Sequence, residues 1–433
     1  MKDIENSKKE SPMLGLTGMG GGVGSLMWAG AAGLFMNNKL FSWGNNSDPY
    51  GILGQNQSNP TNVASPKQVG SDAVWTDVGK VGEQNTSAIK NDGTLWVWGR
   101  NEYGNFGRNN AGNYNNPAAG PRSSPVQVGT DTDWQITVIN YGPGGTSSAD
   151  EIVAHNATTC NQHTTYALKQ NGTLWAWGSQ NNGSLGLNQS HPTMISSPTQ
   201  IGTGSDWTNI YTDRCRHVCV VKNDGTMWSW GHNDYGSLGI NDYGQRSSPC
   251  QVVGTGWKKA DMNNGNWMIG LKENGTLWSW GRNEFGTLGQ NENPSSIGQS
   301  VSPMQIGTDT DWVDVCCTTG GNIAIRSNGT MWSWGSNAGG TLGQNQTVGE
   351  GVKYSSPTQI GTDTDWTRCW VNYQSIFALK SSGQMYGWGN NEYSQLTNSV
   401  PSGYKNRPYS IGGSGSNVVD VGGGPYQSFW LRK

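Results

Sequence analysis

Along this chain apolar and polar residues alternate in short blocks, without the three-to-four-residue spacing that marks an amphipathic helix. The sharpest block puts two aromatics two positions apart and follows them with glycine, as in Trp175-Ala176-Trp177-Gly178 and Trp228-Ser229-Trp230-Gly231. A strand places such a pair on one face, and the glycine lets the chain leave the strand abruptly. The block returns at Phe41–Gly44, Trp96–Gly99, Trp278–Gly281, Trp332–Gly335 and Tyr386–Gly389. Its second aromatic falls at 43, 98, 177, 230, 280, 334 and 388, so successive intervals are 55, 79, 53, 50, 54 and 54 residues. The spacing is that of a repeat array with one insertion.

Each repeat carries further strand signals. A tight-turn dipeptide stands upstream between apolar runs, at Asp92-Gly93, Asn171-Gly172, Asp224-Gly225, Asn274-Gly275 and Asn328-Gly329, and predicts a hairpin. Downstream comes Asn-x-x-Gly-x-Leu-Gly, as in Asn233–Gly239 and Asn283–Gly289, then Ser-Pro, as at Ser248-Pro249 and Ser356-Pro357. The next strand opens on tryptophan, at Trp75, Trp134, Trp207, Trp257, Trp312 and Trp366. Each unit therefore reads as four short antiparallel strands, the content of one propeller blade. A lone blade cannot bury two aromatic faces, so the repeats must close into a ring. The predicted fold is all-β: a seven-bladed β-propeller of four-stranded antiparallel blades over residues 33–433, closed by N- and C-terminal strands. Leu40–Trp43 can complete the blade of Phe429-Trp430-Leu431, and Leu34-Phe35-Met36 fits the same place in the pattern, so the sequence leaves open which segment closes the ring.

Composition narrows the function classes. The 433 residues include 65 Gly and 22 Trp, with 13% charged residues and a net charge of -3. Basic residues stand singly, which offers no footprint for a phosphate backbone, so no nucleic-acid partner is expected. The seven cysteines form no Cys-x-x-Cys pair and suggest neither a disulfide framework nor a zinc ribbon.

The hairpin, the aromatic-x-Trp-Gly strand and the Asn-x-x-Gly-x-Leu-Gly loop together resemble the repeat of the regulator of chromosome condensation family over roughly residues 33–433. The resemblance implies a seven-bladed propeller. In the founding member it goes with nucleotide exchange on a small nuclear GTPase through an inserted wedge, which has no match here. The family's Gly-x-x-His-Thr is reduced to His163-Thr164, the last loop reads Asn391-Glu-Tyr-Ser-Gln-Leu-Thr397 without its glycines, and the Gly-Trp-Arg-His-Thr of a photoreceptor branch is absent.

Candidate chemistry is sparse. Thr-Asp-Thr-Asp-Trp at 130–134, 308–312 and 362–366 offers two carboxylates at i and i+2, too few oxygens for a calcium loop, and reads as solvated turns. His155, Cys160 and His163 lack a fourth zinc ligand. Cys215, His217 and Cys219 share one strand face and read as buried thiols and a satisfied histidine. No catalytic residue, metal site or cofactor is predicted, and the chain is read as a non-enzymatic binding module. Loops that escape the repeat are the candidate partner sites: 108–124 with Tyr114, 140–164 with Tyr141 and His155, and 398–408 with Tyr404 and Arg407.

Residues 11–38 carry no charged side chain, but glycines interrupt the run and no membrane span is expected. Residues 1–32 read as a Gly-rich arm that anchors the propeller through Leu14, Leu16, Met19, Leu26, Met27 and Trp28. An anchored, uncharged β-domain predicts a structural or adhesive subunit of a large assembly, such as a virion surface, decoration or fibre protein, binding protein partners and a cell-surface receptor or glycan. The second reading is a cytoplasmic regulatory propeller that binds a GTPase or another signalling protein.

Overall fold

Period-two alternation becomes seven sheets of four antiparallel strands in the computed structural model. It describes residues 38–46, 51–57, 62–79, 85–101, 103–109, 120–135, 158–160, 164–179, 182–189, 194–212, 217–263, 266–292, 297–346, 348–397, 399–412, 418–423 and 427–433. These all fall in the unit Met36–Lys433. Blade three is representative: strands Trp207–Thr212, His217–Lys222, Met227–Gly231 and Arg246–Gln251 pair in chain order. The first strands of blades one, two, four, five and six are Trp75–Val78, Thr158–Cys160, Trp257–Asn263, Trp312–Cys317 and Trp366–Asn372. With Trp207–Thr212 and Val418–Gly423 they pack on one another in order and return to the start, so they line the axis of a closed β-propeller.

The closing blade joins the two ends of the chain. Val418–Gly423 and Gln427–Arg432 supply its inner strands, Lys39–Gly44 and Val63–Gln68 its outer ones. Leu40 pairs with Leu431 and Trp43 with Ser428, so Phe429-Trp430-Leu431 takes the position next to the N-terminal strand. Leu34-Phe35-Met36 lies outside the described residues.

The core consists of seven clusters, each shared by two blades, because a blade buries both faces only against its neighbours. The second aromatic of each repeat block is the centre of that packing. Trp43, Trp98, Trp177, Trp230, Trp280, Trp334 and Trp388 are all fully buried. Each indole N–H donates across the blade boundary to a carbonyl of the preceding blade's loop, for example Trp230 Nε1 to Ser184 O at 2.8 Å and Trp334 Nε1 to Thr287 O at 2.9 Å. The last glycine of that loop lies under the ring: a Cβ on Gly186 would stand 2.7 Å from Trp230 Nε1. In the last loop Ser394 and Thr397 occupy the two glycine places with φ of 62° and 88°, so the backbone course persists without glycine.

The long interval between the second and third repeats has a defined place. Trp134 bridges to Lys169 and Thr158 pairs with Ala167, so the insertion interrupts the inner strand of blade two. The strand register also corrects the reading of His163-Thr164. The residue opposite the blade glycine is Thr164 in blade two and His217 in blade three, which puts the His-Thr pair one residue early.

Candidate functional site

Many of the polar residues that recur in the repeat are engaged in building the ring. In blade six the Lys380 ammonium lies between Trp366 and Tyr386, 4.8 and 5.1 Å from the ring centres. Asp363 and Asp365 hold it from outside at 2.9 and 3.0 Å. Lys169 is clamped in the same way between Trp134 and Trp175 by Asp131 and Asp133, and Arg326 sits over Trp312 and Trp332 beside Asp309 and Asp311. At Lys169 and Lys380 burial is the largest single influence and lowers the pKa, but the two carboxylates together outweigh it and leave the pKa raised. The Thr-Asp-Thr-Asp-Trp turns keep their aspartates about half exposed, as expected of solvated turns, and add a role the motif did not show. Their carboxylates face a cation that caps two aromatic rings. The turn dipeptides have a matching role: Asp224 Oδ1 accepts from the Thr226 amide and hydroxyl, and that hydroxyl accepts from Trp228 Nε1 at 3.0 Å.

A second group of charges lines the axis. Two residues beyond the opening tryptophan stand Asp77, Asn209, Lys259, Asp314 and Arg368, with Asp420 in the same place in blade seven. Asp314 forms an ion pair with Lys259 of blade four and accepts from the Cys369 amide of blade six at 2.8 Å. Asp261 accepts from the Cys317 amide at 2.8 Å and Asp420 from Trp370 Nε1 at 2.9 Å. Burial pushes the Asp420 carboxyl up, while Arg368 opposes the shift. These carboxylates link one blade to the next.

His217 and Cys219 are both fully buried on the second strand of blade three; Cys215 lies outside the described residues. Burial lowers the His217 pKa to about 3 and pushes the Cys219 thiol up, which makes the pair a poor base and a poor nucleophile. Cys160 pairs with Thr165 in a short strand, while His155 and His163 lie outside the described residues. No cluster of three metal-ligating side chains occurs among the described residues. No helix among them is long and apolar enough to cross a membrane.

Of the predicted partner-contact residues, Tyr114, Tyr141 and His155 lie outside the described residues, as do the arm residues Leu14, Leu16, Met19, Leu26, Met27 and Trp28. An open cleft of about 660 Å³ adjoins the loop that carries Tyr114, lined by Trp96, Arg108, Val126 and Ser197 among others. Arg407 is exposed on the outer strand of blade six, Lys405–Ser410, with its guanidinium 5.2 Å from the Tyr409 ring centre. Tyr404 enters that strand 44% exposed.

Around Tyr404 the structure brings together residues that the sequence did not single out. Tyr404 Cδ1 and Gln374 Oε1 lie 3.6 and 3.4 Å from where a Cβ on Gly339 would stand, and Glu392 is near enough to act on the Tyr404 hydroxyl. Desolvation first, and then Glu392, raise its pKa. Tyr373 opens a two-residue turn with φ of 61°, a conformation that favours glycine. Its neighbour Gln374 accepts from Asn390 Nδ2 at 3.5 Å, and the Glu392 amide donates to Asn390 Oδ1 at 2.8 Å. Three segments of blade six thus meet at one place on the face that carries the Asn-x-x-Gly loops. The signal available in the sequence was the departure of this blade's loop from the repeat.

Comparison with known proteins agrees with this architecture. A family model described as the regulator of chromosome condensation (RCC1) repeat matches residues 224–260 and 274–325. The chain is 23% identical over 242 residues to the ultraviolet-B receptor UVR8 of Arabidopsis thaliana, covering 55% of this chain and 53% of the receptor. It is 31% identical over 301 residues to the protein RCC2 homolog of Danio rerio, covering 70% of this chain and 50% of that protein. The chain spans about half the length of these relatives. The structure of Prp20p from Saccharomyces cerevisiae, described together with its binding properties to Gsp1p and histones, superposes with a TM-score of 0.72 at 19% identity, covering 92% of each chain. These relatives overturn the expectation of a virion surface, decoration or fibre protein. They include a light receptor and a propeller studied for binding other proteins, which agrees with the regulatory reading instead. Seven closed blades and these matches make the chain a β-propeller protein of the regulator of chromosome condensation (RCC1) repeat type.

Proposed function

We propose that this chain is an intracellular regulatory propeller that acts by binding another protein, a small GTPase or another signalling protein, and carries out no chemistry on it. The observation that supports this reading is the contrast between two sets of side chains. The repeated aspartates, cations and tryptophans are engaged across strands and blades. Tyr404 and Glu392 instead face solvent at a meeting point of three segments, and exposed tyrosine is favoured at recognition surfaces. The yeast relative described by its binding to Gsp1p and histones supports a protein as the ligand. In this reading the candidate loops with Tyr114, Tyr141 and His155 add contacts around the same ring.

The test is surface plasmon resonance with the full chain immobilised and a panel of small GTPases passed over it in GDP-bound, GTP-bound and nucleotide-free forms. Retention of one GTPase that depends on its nucleotide state is the expected result. Retention of none in any state refutes the GTPase reading.

A further inference from the structure

In six blades the loop that follows the aromatic block ends on a glycine, one variable residue and an asparagine with φ between 55° and 68°. That asparagine's amide donates to the outer strand of the following blade, as Asn109 does to Ser196 O and Asn291 to Ser355 O, each at 2.7 Å. The backbone therefore holds the variable residue at the same place in each of these blades. Leu187 of blade two packs on the core shared with blade three. Gln290 of blade four donates to the Leu288 and Gln305 carbonyls at 3.1 and 3.2 Å, Gln344 of blade five to Ser333 Oγ and the Thr358 carbonyl at 3.0 Å, and Gln55 of blade seven to the Ser42 carbonyl at 2.9 Å. These four side chains turn in toward the sheet, and Ile240 of blade three is half-buried.

Blade one departs from this pattern. Its variable residue, Arg108, is exposed and forms no ion pair among the described residues. The open cleft of about 660 Å³ lies at this place, lined by Arg108, Trp96, Pro125, Val126 and Gln127 and by Ser197 of blade two. Trp96 pairs with Gln127 as Trp278 pairs with Gln305 in blade four, so the cleft stands where Gln290 reaches in there. The middle residue of the aromatic block indicates which side chain suits it. Ser42, Ser279 and Ser333 go with the three glutamines, Ala176 goes with Leu187, and blade three combines Ser229 with Ile240. Blade one has the buried Val97 at that position and so offers no hydroxyl to an amide, whereas its apolar lining matches an aliphatic side chain.

We propose that this cleft receives a leucine side chain of a protein partner, with an acidic residue beside that leucine paired to Arg108. The leucine takes from outside the place that Leu187 takes from within in blade two. Trp96, Pro125 and Val126 supply the apolar walls, and the guanidinium at the rim, charged throughout the physiological pH range, is left to bind a carboxylate through two parallel hydrogen bonds. The inference deepens the proposed function and rests on it only for the partner being a protein.

The probe is a blocked pentapeptide, Ac-Gly-Glu-Leu-Glu-Gly-amide, with one counterpart in which glycine replaces leucine and another in which glutamine replaces both glutamates. Binding to the full chain is followed by saturation-transfer NMR on the leucine methyls and peptide backbone. The expected dissociation constant is on the order of millimolar for so small a ligand. Loss of the leucine weakens it about ten-fold, and loss of the charges about three-fold. Arg108→Leu gives the cleft a leucine of its own and abolishes binding, whereas Arg108→Glu leaves the cleft open, reverses the rim charge and weakens binding about five-fold. Both substitutions lie at an exposed position and should leave the melting curve in place, which separates loss of binding from loss of fold. Equal binding of either counterpart, equal binding by wild type and Arg108→Leu, or no saturation transfer up to about 20 mM peptide overturns the proposal. Binding that appears only after residues 110–119 are replaced by a Gly-Ser linker gives the cleft to the chain itself and overturns it too. Peptide binding without GTPase capture sinks the GTPase reading alone, and GTPase capture without peptide binding sinks the cleft alone.

Discussion

Acid should destabilise this protein through His217 in a way that can be isolated. His217 is fully buried opposite Gly231, and burial, with a smaller contribution from His232, lowers its pKa to about 3. In the unfolded chain the group titrates near its ordinary value of about 6.5. Below that value the unfolded state takes up a proton that the folded state refuses. The stability contribution is therefore complete above about pH 6.5 and lost as pH falls toward 3, by about 1.36 kcal/mol per pH unit. At pH 4.5 the loss is about 2.7 kcal/mol. With an unfolding entropy of roughly 2.1 cal/mol/K per residue over some 400 residues, that corresponds to about 3 °C in melting temperature. The assay is urea denaturation between pH 7.5 and 4.5, comparing wild type with His217→Asn. Asparagine is a reasonable replacement because Asn85 holds the equivalent place in blade one. Carboxylates titrate equally in both proteins, so the difference between their slopes reports His217. Parallel curves down to pH 4.5 would refute the claim that burial keeps this histidine neutral.

Trp230→Ala should cost about 3–5 kcal/mol, because it removes a fully buried indole and one of the two donors to the Ser184 carbonyl; thermal melting reads the loss, and an unchanged curve places Trp230 outside the inter-blade core. Replacing both Asp363 and Asp365 by asparagine should cost no more than about 1 kcal/mol, since both carboxylates are about half exposed and screened. Lys380→Ala should cost more than that pair, because it also removes the packing between Trp366 and Tyr386, and denaturation at low and high salt separates the two contributions.

The fold was legible from the chain alone because the information for a blade is local. Two aromatics at i and i+2, a turn dipeptide before them and a glycine after them specify strands and hairpins within one repeat, and seven copies specify the ring. The site was not, because every feature that defines it joins separate parts of the sequence. Asp131 meets Lys169 38 residues later, across the insertion, so the cation that each aspartate pair holds could not be read from the motif itself. Closure was undecided for the same reason: Leu34–Met36 and Phe429–Leu431 carry the same pattern, and only pairing of Leu40 with Leu431 shows which strand stands beside the N-terminal one. The meeting of Gly339 with Tyr404 depends on a glycine in one blade and a tyrosine in the next. Local pattern dictates which residues form strands, but only ring closure brings Gly339 and Tyr404 of neighbouring blades to the same point.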